Sequence, residues 1–204
     1  YCFDDSPEFV DFFFQTCYRP KNTLLAEEGG RVCACLQLLP YRMRLRERQV
    51  DVAYIVGVAT RPEYRGRGHA ARLLQYADTV LHERNVHLSV LLPFQYDFYR
   101  KYGWEVCYDL LTYREMENPR RRDKITGSYR KIEFRRDGKI LSDCYLHFMK
   151  RYHGYLIRNP DNWEKALRDV ELDQGTGFCY QQDNITTGYI LYTIREKELC
   201  IREL

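Results

Sequence analysis

No apolar run in the 204 residues approaches the ~20 needed for a membrane-spanning helix, and no secretory leader opens the chain. The sequence therefore reads as a soluble, cytoplasmic protein with no membrane partner. Excess charge of one sign is also missing. Against 29 Asp and Glu stand 32 Lys and Arg, and the net charge of +3 supplies neither a nucleic-acid groove nor a polybasic anchor. Arg120-Arg121-Arg122, between Asn118-Pro119 and Asp123-Lys124, reads as a solvated linker, so no nucleic-acid partner is expected. The eight cysteines (Cys2, Cys17, Cys33, Cys35, Cys107, Cys144, Cys179, Cys200) contain no C-x-x-C. Cys33 and Cys35 share one face of an alternating strand, which suits packing of reduced thiols better than a tetrahedral metal site. The five histidines (His69, His82, His87, His147, His153) form no H-x-x-x-H pair, so no metal is expected. What the chain does have, 45% hydrophobic and 15% aromatic residues, is ample for a core, and its length fits one domain and part of another.

The most informative stretch present is Val58 to Leu74, V-A-T-R-P-E-Y-R-G-R-G-H-A-A-R-L-L. Before it, Val50 to Ala59 is nearly all apolar and rich in β-branched residues, as in a strand covered on both faces. After it, Ala70, Leu73, Leu74, Ala77, Val80 and Leu81 recur at the spacing of one helix face. Between the two lies a loop suited to an anion. The first N–H groups of a helix lack intrahelical partners, and the helix dipole favours negative charge there. Gly66 and Gly68 let backbone approach phosphate oxygens, while Arg65 and Arg67 add charge and donors. His69 either donates towards a phosphate or points to solvent. A Walker loop would need Gly-Lys-Ser/Thr where this loop has Gly-His-Ala. Gly66, Gly68 and Ala71 do satisfy a relaxed dinucleotide fingerprint, but Thr60 to Arg65 separate it from the strand. The next strand, ending Leu91-Leu92-Pro93, also lacks the acidic residue that would hold a ribose.

Arg65-Gly66-Arg67-Gly68-His69-Ala70 resembles the Arg/Gln-x-x-Gly-x-Gly/Ala signature of the GNAT acetyltransferase superfamily. The resemblance implies an α/β (α+β) fold with a mixed, mostly antiparallel sheet splayed at an acetyl-CoA site. Acetyl-CoA would be held by Gly57, Val58 and Ala59 on the strand and by Arg65, Gly66, Arg67, Gly68, His69 and Ala70 in the loop. Further on, Val86 to Leu92 reads as a short strand and Pro93 to Trp104 as a short helix closed by Gly103. Phe98-Tyr99-Arg100-Lys101-Tyr102-Gly103-Trp104 is similar to the F-Y-x-x-x-G-F/W ending of GNAT domains, in which the tyrosine at Tyr99 protonates the departing thiolate. Tyr96 and Tyr102 are its nearest rivals, and the plainer alternative is a tyrosine packing a core edge.

The wider match is to the Eis-like (enhanced intracellular survival) branch, in which a catalytic GNAT domain precedes a degenerate GNAT-like domain and a sterol-carrier-like domain. It rests on Leu38 to Met43 (L-L-P-Y-R-M), the Y-R-G-R-G-H-A loop, F-Y-R-K-Y-G-W, and Asn162 to Leu167 (N-W-E-K-A-L). It implies N-acetyl transfer to a primary amine of an aminoglycoside, polyamine, lysine or peptide, a homo-oligomer, and a terminal carboxylate as base that lies outside this sequence. Asp51, Glu63, Asp97 and the Glu27-Glu28 pair are candidate attractors of a cationic acceptor. The rival class is an acyl-CoA-binding sensor or scaffold without turnover.

Local signals order the rest. Ser6-Pro7-Glu8 opens an apolar helix through Phe9, Phe13 and Cys17, and Thr23 to Glu28 with Arg31 to Leu39 form a hairpin around Gly29-Gly30. Asn159-Pro160-Asp161 opens another helix, and Gly177 to Gln182 with Thr187 to Ile194 form a second hairpin around Asp183-Asn184. The order helix, hairpin, strand thus occurs twice. It divides the chain into a GNAT domain at 1–117 whose first strand is missing, a basic linker at 118–130, and part of a second GNAT-like domain at 131–204.

Overall fold

Ser6 begins the first helix, α1 (Pro7–Thr16): its side chain accepts the Phe9 N–H at 3.2 Å, and Pro7 takes a first-turn position where no N–H is needed. Strands β1 (Thr23–Glu28) and β2 (Arg31–Leu45) follow, joined through Gly29 and Gly30 at positive φ, and then β3 (Arg48–Thr60). Next come α2 (His69–Glu83), β4 (Ser89–Leu91), α3 (Tyr96–Arg100), β5 (Ser128–Lys131), α4 (Gly138–Met149), β6 (Tyr155–Leu156) and α5 (Pro160–Leu172). The chain finishes with β7 (Thr176–Gln182), β8 (Ile185–Arg195) and β9 (Glu198–Glu203). This computed structural model describes residues 5–109, 126–196 and 198–204. Arg120-Arg121-Arg122, Cys2 and most of the expected linker lie outside them, while the last three residues of that linker, 128–130, fall in strand β5 (Ser128–Lys131).

Two units divide the chain, Tyr1–Leu110 with Gly154–Ile157 and Leu111–His153 with Arg158–Leu204. In the first unit the sheet order is β1-β2-β3-β4, with β6 also paired to β2. Pairing is antiparallel except between β3 and β4. One face is covered by α2, whose Leu73, Leu74, Ala77, Val80 and Leu81 pack on Leu24, Ala34, Leu36, Leu38, Ala53 and Ile55. His69, rather than Ala70, completes the buried stripe.

β2 runs on past Leu39, where the sequence reads as ending, and carries Pro40 in its interior. The carbonyls of Arg42 and Arg44 accept from Ile157 and Gly154 on the β6 side, so Pro40, in phase with them, faces the same edge. β1 reaches only to Gln37 and β6 only to Met43, and the missing N–H of Pro40 falls in the gap.

In the second unit β5-β7-β8-β9 form an antiparallel sheet whose buried face packs Cys179, Tyr189 and Leu191, with Leu141 and Tyr145 of α4 and Trp163, Leu167 and Val170 of α5 also buried. A capping box starts α5: Asn162 N–H donates to Asn159 Oδ1 at 2.8 Å and Asn159 N–H to Asn162 Oδ1 at 3.2 Å. Asp183 and Asn184, both at positive φ, make the tight turn between β7 and β8. A helix followed by an antiparallel meander therefore occurs twice, as α1-β1-β2-β3 and α5-β7-β8-β9.

Candidate active site

β3 and β4 part company part-way along β3. Their pairing ends at Ile55 with Leu91, after which β4 stops before Pro93 while β3 continues to Thr60. Among the described residues no strand pairs with the β4-side edge of Val56 to Ala59. Opposite β2 the register jumps: Gln37 pairs with Val56 and Cys35 with Ala59, so Gly57 and Val58 together face Leu36. Gly57 sits at φ +61, the left-handed conformation of a glycine bulge, and Cys35 Sγ donates to its carbonyl at 3.7 Å. A bulge leaves a residue out of the ladder and re-aims its backbone groups. Here it does so beside the open edge.

The loop after β3 is fastened first by Arg61 N–H to the Cys33 carbonyl at 2.9 Å, then turns through Pro62–Tyr64. Gly66 and Gly68 have φ of +77 and +78, whereas Arg67 between them has negative φ, and such alternation turns successive N–H groups into an anion-binding concavity. No backbone carbonyl among the described residues accepts from Gly66, Arg67 or Gly68. Gly68 is the N-cap of α2 and has no side chain to cap it, so the N–H groups of His69, Ala70 and Ala71 stay open as well. A Cβ added at Gly66 or Gly68 would meet nothing within 4 Å, so the space over the loop is clear.

Side chains around the loop run the other way. Arg67 Nη1 donates to Glu28 Oε1 at 2.6 Å and Nη2 to the Glu63 carbonyl at 3.2 Å, with its guanidinium over the Tyr64 ring. His69, only 3% exposed, holds Nε2 at 2.9 Å from Glu28 Oε2, in ion-pair range but off the direct line of an N–H···O bond. Arg72 Nη2 lies 2.8 Å from His69 Nδ1. Arg65 Nε donates to the Thr60 carbonyl at 3.3 Å.

Tyr99 is 5% exposed and belongs to the apolar cluster that also holds Leu73 and Leu74 of α2, with Val58 and Leu91 packed against it. Phe94 and Phe98 meet its ring edge-on, and burial pushes the phenol above its ordinary pKa. Its rivals stand elsewhere. Tyr96 is 58% exposed, and Tyr102 packs on Phe98 and lines a separate cavity of about 610 Å³ with Leu88, Ser89, Trp104 and Glu105. None of the sequence-predicted site residues lines that cavity.

Residues 1–107 match the profile of the acetyltransferase (GNAT) domain family. The chain belongs to the GNAT acetyltransferase family. Its fold is similar to that of a protein of unknown function, a probable N-acyltransferase, from Enterococcus faecalis V583 (TM-score 0.77, 20% identity, covering 98% of this chain and 53% of that one). It is also similar to a GCN5-related N-acetyltransferase from Anabaena variabilis ATCC 29413 (0.76, 22%, 99% and 53%). Eis1 from Mycobacterium abscessus is a further match (0.64, 13%, 99% and 59%). At such identities the likeness speaks for the fold, and the chain spans about half the length of these structures. No curated protein matches the sequence.

Within this GNAT unit the residues expected at an acetyl-CoA site form two runs: Gly57, Val58 and Ala59 at the bulge, and Arg65 to Ala70 at the start of α2. His69 departs from both of its expected orientations, since its ring turns inward. Glu28, read as an attractor of cationic acceptors, holds Arg67 and His69 instead. Asp51 faces Arg42 at 3.5 Å, and Asp97 faces Arg100 at 4.0 Å. Sequence reasoning missed Gln37, which is 7% exposed and cross-strand from Val56, and whose Oε1 accepts no hydrogen bond among the described residues. Its signal was there: a lone polar residue within the otherwise apolar Val32 to Leu39.

Proposed function

We propose that the chain carries the active site of an N-acetyltransferase that moves acetyl from acetyl-CoA to a primary amine by direct attack. One observation carries the reading: a run of open backbone N–H groups at the start of α2 lies in the same unit as a bulged strand edge with which no strand pairs among the described residues. The diphosphate fits the N–H groups of Gly66 to Ala71, because anion and donors match without a side chain in the way. The extended arm of the cofactor runs along the open edge of β3, and its thioester carbonyl is polarised by the Val58 N–H or a neighbour on the bulge. The amine nitrogen attacks the carbonyl carbon, the C–S bond breaks, and Tyr99 gives its proton to the sulfur. The amine loses its own proton to water. Fixing both partners supplies much of the rate gain. Gln37 Oε1, buried and without a donor, is suited to accept an N–H of the incoming amine.

The Eis-like branch is our finer reading, supported by L-L-P-Y-R-M, N-W-E-K-A-L and the fold shared with Eis1. It favours an aminoglycoside, polyamine, lysine or peptide amine as acceptor, in the cytoplasm and within a homo-oligomer. A thiol-release assay with acetyl-CoA and a panel of these amines tests the proposal. Amine-dependent release of CoA is expected. Binding of acetyl-CoA without release by any amine favours a sensor, and absence of binding overturns the reading.

A further inference from the structure

We propose that Glu28, at the end of β1, is a positioning residue for the acetyl-CoA cradle: it holds Arg67 and His69 as struts and leaves the diphosphate to backbone N–H groups. The inference rests on the acetyl-CoA reading above and adds to it a division of labour within the loop.

The sequence places two arginines and a histidine around the glycines, and the obvious role for such residues is to contact phosphate. The geometry assigns them otherwise. Both terminal nitrogens of Arg67 are engaged, Nη1 by the Glu28 carboxylate at 2.6 Å and Nη2 by the Glu63 carbonyl at 3.2 Å, while the flat of the guanidinium lies on Tyr64. The His69 side chain is 2% exposed and cannot reach a ligand over the loop. Arginine has no acceptor, so in its contact with Arg72 the His69 Nδ1 must be the unprotonated nitrogen. Nε2 then carries the ring hydrogen and lies 2.9 Å from Glu28 Oε2, though off the direct line of a hydrogen bond. One carboxylate thus ties down two residues that flank Gly68, the residue whose left-handed turn opens the helix.

Glu28 is itself well fixed. The β1–β2 register shifts between Ala26 and Glu27, and Cys33 Sγ donates to the Ala26 carbonyl at 3.1 Å across the shift. Cys33 also accepts Arg61 N–H through its carbonyl. The hairpin therefore grips the loop at its beginning through Cys33 and at its end through Glu28. The Arg67–Glu28 pair is half exposed, and as a lone surface ion pair it would add little. Its contact with a buried histidine makes the difference, because loss of Glu28 removes the carboxylate that lies 2.9 Å from the His69 ring nitrogen inside the protein.

Isothermal titration of acetyl-CoA into the wild-type protein, Glu28→Gln, Arg67→Gln and the double variant tests this, with circular dichroism and the ¹⁵N signals of the His69 ring recorded alongside. Each single change is expected to weaken binding about 3- to 10-fold, and the double change to be no worse than the weaker single variant, as for two ends of one strut. In Glu28→Gln the secondary structure should be kept while the His69 Nε2–H signal shifts. If the wild type binds and Glu28→Gln binds equally or more tightly, the proposal is overturned, since Glu28 would then be idle or a rival of the phosphate for Arg67. Additive losses overturn it as well, because they make Arg67 a phosphate ligand in its own right. Should Glu28→Gln not fold, Arg67→Gln carries the test: normal binding by that variant overturns the strut. Failure of the wild type to bind acetyl-CoA overturns the cradle reading and the proposal with it.

Discussion

Tyr99 differs from the other tyrosines of its segment by where its ring lies, enclosed by Phe94 and Phe98 in the cluster that also contacts Val58. Burial raises its pKa above the ordinary ~10, so the phenol keeps its proton throughout the neutral range and remains a donor to a thiolate. Tyr99→Phe keeps the ring and removes the donor. Turnover should fall by about 10²- to 10⁴-fold, the usual worth of a positioned general acid, with the acetyl-CoA dissociation constant within about twofold of wild type. The pH profile carries the same sign. A group that loses its proton only above ~10 causes no decline of kcat between pH 7 and 9, and an alkaline limb in that window would remove Tyr99 from the role. Gly68 gives a second test at this scale. Its φ of +78 disfavours any side chain by about 1–2 kcal/mol, and a Cβ there would project into the space over the open N–H groups. Gly68→Ala should therefore weaken acetyl-CoA by about tenfold or more in a titration while the far-ultraviolet spectrum of the chain is kept.

At the scale of elements, capping chemistry carries measurable stability. Asn159→Ala removes the side-chain acceptor of the Asn162 N–H in the box that opens α5 and should cost about 1 kcal/mol in urea unfolding. Asp137, which precedes α4, is 2% exposed and accepts from Arg130 Nη1 at 2.7 Å and from Glu133 N–H at 2.8 Å, so it ties α4 to β5. Burial alone would raise its pKa, but the Arg130 and Glu133 hydrogen bonds and the charges of Arg130 and Arg136 outweigh it and hold the carboxyl below its ordinary value. A lowered folded-state pKa means stability that is present above the unfolded value and lost as pH falls through the folded one. Asp137→Asn should destabilise the protein at pH 7 by about 1–3 kcal/mol and flatten the loss of stability below pH ~4, both read from denaturant midpoints across pH. The starts of α1 and α5, like the Gly29-Gly30 and Asp183-Asn184 turns, are legible in the sequence because their chemistry is local, whereas the start of α4 at Asp137 carries no such signal. Three other features are not legible there either. The pairing of β6 with β2, the jump in register that makes Gly57 a bulge, and the grip of Glu28 on His69 all depend on residues distant in sequence. Pro40 read as a strand end because only the gap between β1 and β6 makes it tolerable. His69 was passed over in the apolar stripe because its four-residue spacing to Leu73 was right and its polarity wrong.

For the whole molecule, the repeated order of helix and antiparallel meander sets a contrast between the units. The first meander leads through its bulged third strand into a loop with two glycines at positive φ, whereas among the described residues of the second unit no such glycine pair adjoins the start of α4 or α5. In the second unit α5, the counterpart of α1, opens on a capping box that gives the N–H groups of Asn159 and Asn162 partners. The second unit carries a part-buried ion pair. Arg158 donates to both oxygens of Glu203 at 2.8 and 2.9 Å between the rings of Tyr145 and Trp163, and Tyr189 donates its hydroxyl to the same carboxylate. A ligand that binds only the folded first unit stabilises that unit by mass action, by about 2.7 kcal/mol at a hundredfold excess over the dissociation constant. Hydrogen exchange with and without saturating acetyl-CoA should therefore show slower exchange in β3, the loop at 61–69 and the first turns of α2. Amides of β7, β8 and α5 should exchange at unchanged rates. Equal protection of β7 and β8 would mean that the second unit also contributes to binding, and a single site in the first unit would no longer describe the chain.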